Sequence, residues 1–351
     1  MEKIVFIIPN MTGGGTERVI SLLSTEYVKR GFQVAIMQFA GYQHAYELDG
    51  RVEDFSVSAQ SGGNPLIQLR RIRDMRRYFK KNPGCHIFAF CVNGAVFSAI
   101  ATLGMKRPFL VAERNSPESC KEKKIRNWAY RRADVITFQT ADGISYFPPA
   151  IARKAVIIPN PIDMAIPPRY EGKRAKKIVT VGRLHSQKNQ ALLLEAFSDF
   201  CRERTDYALH IYGKGELEAR LQTYAQELGI SDLVVWHGFS TRVKEEILDS
   251  RMFVLSSDFE GISNSMLEAL AMGIPTISTD CPIGGARVYI KNNESGLLVP
   301  VGDREALAEA MLRVAGDDEL ADRLSINGAK VREQYSPDSI AERFLEAAKI
   351  I

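Results

Sequence analysis

Short apolar runs alternate with longer stretches of helical period along almost the whole chain. KIVFII is followed by an amphipathic segment from about Thr16 to Arg30 and then by QVAIMQF; FLVAE precedes KEKKIRNWAYRR, which precedes DVITFQ. Strand and helix periods taking turns in this way predict parallel sheets with crossover helices. The strands read as unbroken apolar runs, as expected where helices cover both faces of a sheet. The alternation breaks over residues 157–177 (IIPNPIDMAIPPRYEGKRAKK), where prolines and a cationic cluster predict a linker. It restarts with KIVTVGRL, a helix from about Asn189, and the further strands ALHIYG, LVVWHGF, MFVLSS and PTISTD with helices between them. The pattern predicts an α/β protein of two doubly wound, Rossmann-like parallel-sheet domains, residues 1–165 and 166–351. Residues 85–104 (CHIFAFCVNGAVFSAIATLG) approach membrane-spanning length, but Asn93-Gly94 in their middle predicts a buried strand, a turn and a buried helix.

A chain of 351 residues is comfortable for two cores. Its five cysteines are odd in number and form no C-x-x-C pair, which argues against a disulfide framework or a zinc ribbon and fits a reducing cytosol. The opening MEKIVFIIPN has too short an apolar run for a signal peptide, so a cytoplasmic protein is expected. Charge separates the halves: residues 1–165 hold 23 Lys+Arg against 14 Asp+Glu, and residues 166–351 hold 23 against 28. The positive half concentrates its charge in QLRRIRDMRRYFKKN (68–82) and KEKKIRNWAYRR (121–132). These are either solvated helix faces or a docking surface for anionic phospholipid, where each basic residue is worth about 1 kcal/mol. Nucleic acid is not expected as a partner, because no helix-turn-helix or aromatic-interleaved strand motif accompanies the charge.

The C-terminal half carries the most specific chemistry. DFEGISNSMLEALAMGIPTIST places Glu260 and Glu268 at the entry of a helix that Ser263 or Asn264 would cap and Gly273-Ile274-Pro275 would end. Eight residues of helix rise about 12 Å. The carboxylates of a glycoside hydrolase stand only about 5–9.5 Å apart, so this pair suits two different parts of one ligand. The first free N–H groups of such a helix form an anion site. In VGRLHSQKNQALLLEAF, Arg183 and Lys188 straddle a strand-to-helix turn, at the sheet edge where open α/β sheets bind ligands. A bound diphosphate needs its charge neutralised, above all as a bond to it breaks. The sequence has no Asp-x-Asp pair or His/carboxylate cluster to hold a divalent ion, which leaves Arg183 and Lys188 as the substitutes. Near the N-terminus, Gly13-Gly14-Gly15 match neither G-x-G-x-x-G nor a P-loop, yet glycines there allow close approach of backbone N–H groups to a phosphate or sugar.

Together these features resemble the family-4 retaining glycosyltransferases of the GT-B fold. The resemblance covers nearly the whole chain. It is strongest from about Ile178 to Pro300, where VGRL…K, HGF, S-x-x-E-G-x-x-x-x-x-x-E-A-x-A-x-G-x-P and G-L-L-V-P follow in order. It implies two Rossmann-like domains facing a central cleft, an acceptor-binding N-terminal domain and a nucleotide-sugar-binding C-terminal domain, with the final helix packed back on the first. It also implies metal-independent, retaining transfer from a UDP-sugar to a glycan or lipid-linked saccharide, with no cofactor.

By the same resemblance, Arg183 and Lys188 bind the donor diphosphate and Glu268 the nucleotide ribose. Glu260 contacts the sugar hydroxyls, and backbone N–H groups around Ile262, Ser263 and Asn264 support sugar and phosphate. Gly14 and Gly15 lie against the diphosphate, and His237, Gly238 and Phe239 wall the base pocket. The chain departs from the pattern in FLVAERNSPES, where many relatives carry a histidine. The variant resembles a subgroup acting on lipid-linked oligosaccharides and surface polysaccharides, and it makes Glu113, Arg114 and Asn115 candidates for sugar or acceptor contacts. A UDP-N-acetylhexosamine epimerase and a non-catalytic donor-binding subunit share the implied architecture.

Overall fold

The computed structural model describes residues 2–12, 14–42, 44–57, 64–114 and 120–350. Its contacts divide the chain into two units, Met1–Pro161 with Pro337–Ile351, and Ile162–Ser336. The first break thus falls before the expected residue 165. Ile162 and Ile166 bury their side chains in the core of the second unit, and the Ile162 N–H donates to the Tyr335 carbonyl at 2.8 Å.

The N-terminal unit runs β1 (Lys3–Ile8), α1 (Gly15–Lys29), β2 (Gln33–Gln38), β3 (Glu53–Ser56), α2 (Pro65–Lys81), β4 (Cys85–Phe90), α3 (Cys91–Ala101), β5 (Phe109–Ala112), α4 (Lys123–Arg132), β6 (Val135–Phe138), α5 (Pro149–Ala152) and β7 (Ala155–Ile157). All neighbours in its seven-stranded sheet, β3-β2-β1-β4-β5-β6-β7, are parallel. The continuous apolar runs are explained by burial on both faces: Ile4, Val5, Phe6 and Ile7 are all inaccessible.

The C-terminal unit runs β8 (Ala175–Val181), α6 (Gln190–Phe200), β9 (Ala208–Tyr212), α7 (Glu218–Glu227), β10 (Val234–Gly238), α8 (Val243–Ile247), β11 (Ser250–Leu255), α9 (Asn264–Ala271), β12 (Thr276–Thr279), β13 (Leu297–Val299), α10 (Arg304–Gly316), α11 (Asp318–Ala329) and α12 (Val331–Gln334). Its six parallel strands lie in the order β10-β9-β8-β11-β12-β13. The order reverses between β8 and β11, so the loops leaving these two strands flank the topological switch point, where open α/β sheets take ligands. The last helix, α13 (Pro337–Ala347), belongs to the N-terminal unit. There Tyr27 of α1 donates its hydroxyl to the Ala341 carbonyl at 3.2 Å, and Phe344 packs on Phe88 and Phe90.

Three local expectations need correction. Residues 85–101 form a strand leading directly into a helix, with no turn at Asn93-Gly94. The reversal is made at Cys91, which takes φ +64, and Gly94 sits inside α3, where a Cβ would lie 2.9 Å from the Ile7 carbonyl oxygen. Glycine there permits close approach of helix and strand. Second, the cationic end of the linker is not wholly solvated. Arg174 is largely buried and donates to the carbonyls of Leu248, Ser250 and Gly273 and to the Ser325 hydroxyl. Burial lowers its pKa to about 10. Third, two charges of the basic segments are interior: Arg71 is buried, and Arg126 lies over the Phe147 ring at 4.2 Å. All five cysteines are free thiols. Among the described residues no helix is long and apolar enough to cross a membrane.

Arg174 ties four separate segments of one unit together. Its loss leaves several buried carbonyls without donors at about 1–3 kcal/mol each, so Arg174→Ala is expected to cost the C-terminal unit about 3 kcal/mol or more. Urea denaturation in a Trp128→Phe background, where Trp236 alone reports, measures it; an unchanged midpoint would contradict the staple.

Candidate active site

The loop leaving β8 is shaped by backbone contact with the loop leaving β9. The Gly182 N–H donates to the Tyr212 carbonyl at 2.9 Å, and Gly213, at φ +133, lies so close that a Cβ would stand 1.9 Å from the Gly182 oxygen. Only glycine satisfies both the conformation and the space. Ser186–Lys188 then form a single 3-10 turn, and Asn189, at φ +43, caps α6 by accepting the Leu192 N–H. Asparagine is among the few side chains that tolerate this left-handed conformation while offering a capping oxygen. The Lys188 stem lies over Gly182, and its ammonium pairs with the Glu260 carboxylate. The two side chains are only 15% and 11% exposed.

The loop leaving β11 is stitched to that turn along its length. Ser256 donates to the carbonyls of Lys188 and Asn189, each at 3.0 Å, and the Asp258 N–H donates to the Gln187 carbonyl at 3.0 Å. The Asn189 amide donates to the Asp258 carboxylate at 2.7 Å, and the Gln187 amide to the Phe259 carbonyl at 2.9 Å. The Ser257 hydroxyl donates to Glu260 Oε1 at 2.9 Å, so the carboxylate bound by Lys188 has a second partner. On the far side Gly285 presses against Gly261, where a Cβ would come within 1.5 Å of the carbonyl oxygen.

Immediately after this loop, Ser263 caps α9 by accepting the Met266 N–H at 3.4 Å, while Ser265 donates to the Val181 carbonyl at 2.8 Å and ties the helix to the end of β8. The first turn, which includes Asn264, therefore begins beside the switch point, and its leading N–H groups have no acceptor within the helix. Gly273, at φ +67, ends it as expected.

Glu268 lies one turn further along α9 and faces Lys244 of α8 at 3.7 Å; Lys244 stands equally near Asp163. The periodicity gave no reason to single out Lys244, a lysine on a short, charged helix. Arg183 is exposed, and its guanidinium has no ion-pair or hydrogen-bond partner among the described residues. The two carboxylates are thus each matched by a lysine, and Arg183 remains as an uncompensated cation.

Residues 166–331 match the family described as Glycosyl transferases group 1. The C-terminal unit is a group 1 glycosyl transferase domain. The chain is accordingly a glycosyltransferase. It is 25% identical, over 99% of its own length and 98% of the relative's, to a Campylobacter jejuni protein named GalNAc-alpha-(1->4)-GalNAc-alpha-(1->3)-diNAcBac-PP-undecaprenol alpha-1,4-N-acetyl-D-galactosaminyltransferase. Among solved structures it resembles the lipopolysaccharide outer core galactosyltransferase WaaB in its apo form, with a TM-score of 0.80, 21% identity and 99% of each chain covered. It also resembles Anabaena HepE in complex with UDP, with a TM-score of 0.82, 17% identity, and 99% of this chain and 100% of that one covered. These likenesses show the GT-B fold that the sequence resemblance implies.

Within the glycosyl transferase domain, the HGF segment ends β10, the edge strand beside β9. His237 stacks on Tyr212, with centroids 4.1 Å apart and planes within 2°, and its Nε2 lies 2.8 Å from His210 Nδ1. Phe239 is exposed, and Gly238 takes φ +66. Burial, together with the neighbouring His237, lowers the His210 pKa to about 4; burial likewise lowers that of His237. His210 shares one hydrogen bond and a ring stack with His237, a candidate pocket residue.

In the N-terminal unit of the glycosyltransferase, Gly14 caps α1 with extended backbone at φ −164, and a Cβ there would meet only the flexible end of Glu17. Neither conformation nor packing among the described residues demands glycine at this position. Gly15 is the first residue of α1. Glu113 and Arg114 follow β5 and are both buried. The Tyr130 hydroxyl donates to Glu113 at 2.7 Å, and Arg114 donates to Asn160 at 2.9 Å and to the Ile158 carbonyl at 3.3 Å. Asn115 lies outside the described residues.

The two histidines give the domain a pH dependence of known sign. The folded state holds His210 neutral down to about pH 4. An unfolded histidine titrates near about 6.5, so between these values the unfolded chain binds more protons and stability falls as pH falls. An imidazole proton NMR titration is expected to place the His210 midpoint near 4; a midpoint at or above the ordinary value would refute the stacked, neutral pair.

Proposed function

We propose that this glycosyltransferase moves a hexose or N-acetylhexosamine from a UDP-sugar to a glycan or polyprenyl-diphosphate-linked acceptor in polysaccharide assembly. In this reading transfer proceeds with retention of configuration and without a metal ion. The observation that carries it is the Lys188–Glu260 pair at the switch point, beside the first turn of α9, with the uncompensated Arg183 on the same loop as Lys188. Support also comes from the UDP bound in the HepE complex and from the undecaprenol-linked acceptor in the Campylobacter relative's name.

Charge bookkeeping favours a dianionic ligand. A diphosphate brings negative charge that Arg183 meets directly, and it shares Lys188 with Glu260. The N–H groups at the start of α9 add aligned dipoles that strengthen as charge develops on the leaving phosphate. Glu260 then accepts from sugar hydroxyls, and Glu268, held by Lys244, accepts from the ribose. The leaving phosphate oxygen takes the proton of the acceptor hydroxyl while the bond between the sugar and that oxygen breaks and the bond to the acceptor oxygen forms on the same face. No separate base is needed. Because Glu113 and Arg114 have internal partners, their part in acceptor binding is to hold the ends of β5 and of the segment at Ile158–Asn160 in place.

The acceptor is proposed to lie at the inner face of the cell membrane. α2 exposes Leu66 and Leu69 (74% and 63%) among arginines, and α4 exposes Ile125 and Trp128 (40% and 39%) among lysines and arginines. Apolar tips within a basic field suit an anionic bilayer surface.

Arg183→Ala is the cleaner test of the diphosphate role, since its removal orphans no partner. Transfer is expected to fall roughly 10- to 100-fold, about 1.5–3 kcal/mol, with the melting temperature unchanged. Unaltered transfer would overturn the assignment. Lys188→Ala is expected to lose as much activity and also to destabilise, because Glu260 is left buried and unpaired. Sedimentation with phosphatidylglycerol vesicles tests the surface. Binding is expected at low salt and should weaken with added salt and in Trp128→Ala; no binding to anionic vesicles would exclude peripheral attachment.

A further inference from the structure

Between α6 and α7 of the C-terminal unit lies a cavity of about 780 Å³. Ser186, Asn189 and Asp258, from the two loops that hold Lys188 and Glu260, line it, but Arg183, Lys188, Glu260 and Glu268 do not. Its size falls in the range of small-ligand sites. Ala191, Leu217 and Leu221 give it an apolar face, and the Tyr224 ring adds an aromatic wall.

Its polar groups are mostly acceptors. Glu195, Glu227 and Asp258 face it against a single cation among the lining residues, Arg220. Gln190 supplies an independent observation. This side chain is 3% exposed, its amide nitrogen donates to the Arg183 carbonyl at 2.9 Å, and its Oε1 accepts no hydrogen bond among the described residues. A buried amide oxygen left in that state is costly, and because Gln190 lines the cavity wall, a small turn of its amide would bring the oxygen within reach of a ligand hydroxyl. Glu195 already accepts from the Tyr224 hydroxyl and Asp258 from the Asn189 amide, so Glu227 and the remaining carboxylate oxygens are the groups that repel a phosphate and accept from hydroxyl donors, and an apolar face beside them matches a neutral sugar ring.

We propose that this cavity is a saccharide-binding site distinct from the residues assigned to the nucleotide sugar, built against the back of the same loops. The inference does not depend on which donor the enzyme uses.

The experiment uses the full chain saturated with UDP and titrates methyl glycosides of galactose, N-acetylgalactosamine and N-acetylglucosamine, read by saturation-transfer NMR. At least one glycoside is expected to bind saturably. Thr223→Trp, at the exposed rim, should weaken it by about tenfold or more and Arg220→Ala by a smaller factor, with UDP affinity within about twofold of wild type in both. No saturable glycoside binding, or glycoside binding that Thr223→Trp leaves unchanged, would overturn the proposal. So would UDP binding that Thr223→Trp abolishes. A chain that binds the glycoside at this rim but not UDP would strike the proposed function and leave this site standing.

Discussion

The ion pair between Lys188 and Glu260 is the constraint on which the candidate active site depends. Both charges are largely withdrawn from water, and either alone would be expensive to bury. Together they join the loops that leave β8 and β11, the two strands on either side of the switch point. The surrounding bonds from Ser256, Ser257, Gln187 and Asn189 hold the backbone so that the two side chains meet without rearrangement. A site prearranged in this way has already met the ordering cost that a flexible pair of loops would meet on binding.

The same pair sets the charge of the candidate site. Glu260 is neutralised by Lys188 and Glu268 faces Lys244, so the carboxylates do not present net negative charge to an incoming phosphate. Arg183, without a partner among the described residues, tips the balance. The basic surface of the N-terminal unit is a separate electrostatic feature. Part of what looks like surface charge in its sequence is structural: Arg71 and Arg126 are interior, and Arg76 donates to the carbonyls of Ala101 and Leu103. What remains outward is interspersed with exposed leucine, isoleucine and tryptophan.

Much of this was legible in the sequence because it is local. Strand and helix periods, the Ser263 cap, the Gly273 stop and the turn carrying Arg183 and Lys188 all follow from neighbours within a few residues. What was not legible depends on partners distant in the chain. Arg174 reads as one more linker cation until Gly273 and Ser325 are found beside it. Glu113 and Arg114 read as candidate ligand contacts, and their bonds to Tyr130 and Asn160 carry no sequence signal. Asn93-Gly94 is an ordinary turn signal, overridden because Cys91 accepts a left-handed backbone and Gly94 is needed against β1. Lys244 has no sequence signal at all, since its importance comes from lying opposite Glu268.

In the proposed mechanism, fixed side-chain cations and helix dipoles do the work a divalent ion does elsewhere. The most direct test is calorimetric titration of UDP into the wild-type chain in the presence of EDTA. Binding is expected, with the same affinity in the chelator as with added magnesium. Binding that vanishes in EDTA and returns on adding the metal would contradict that mechanism.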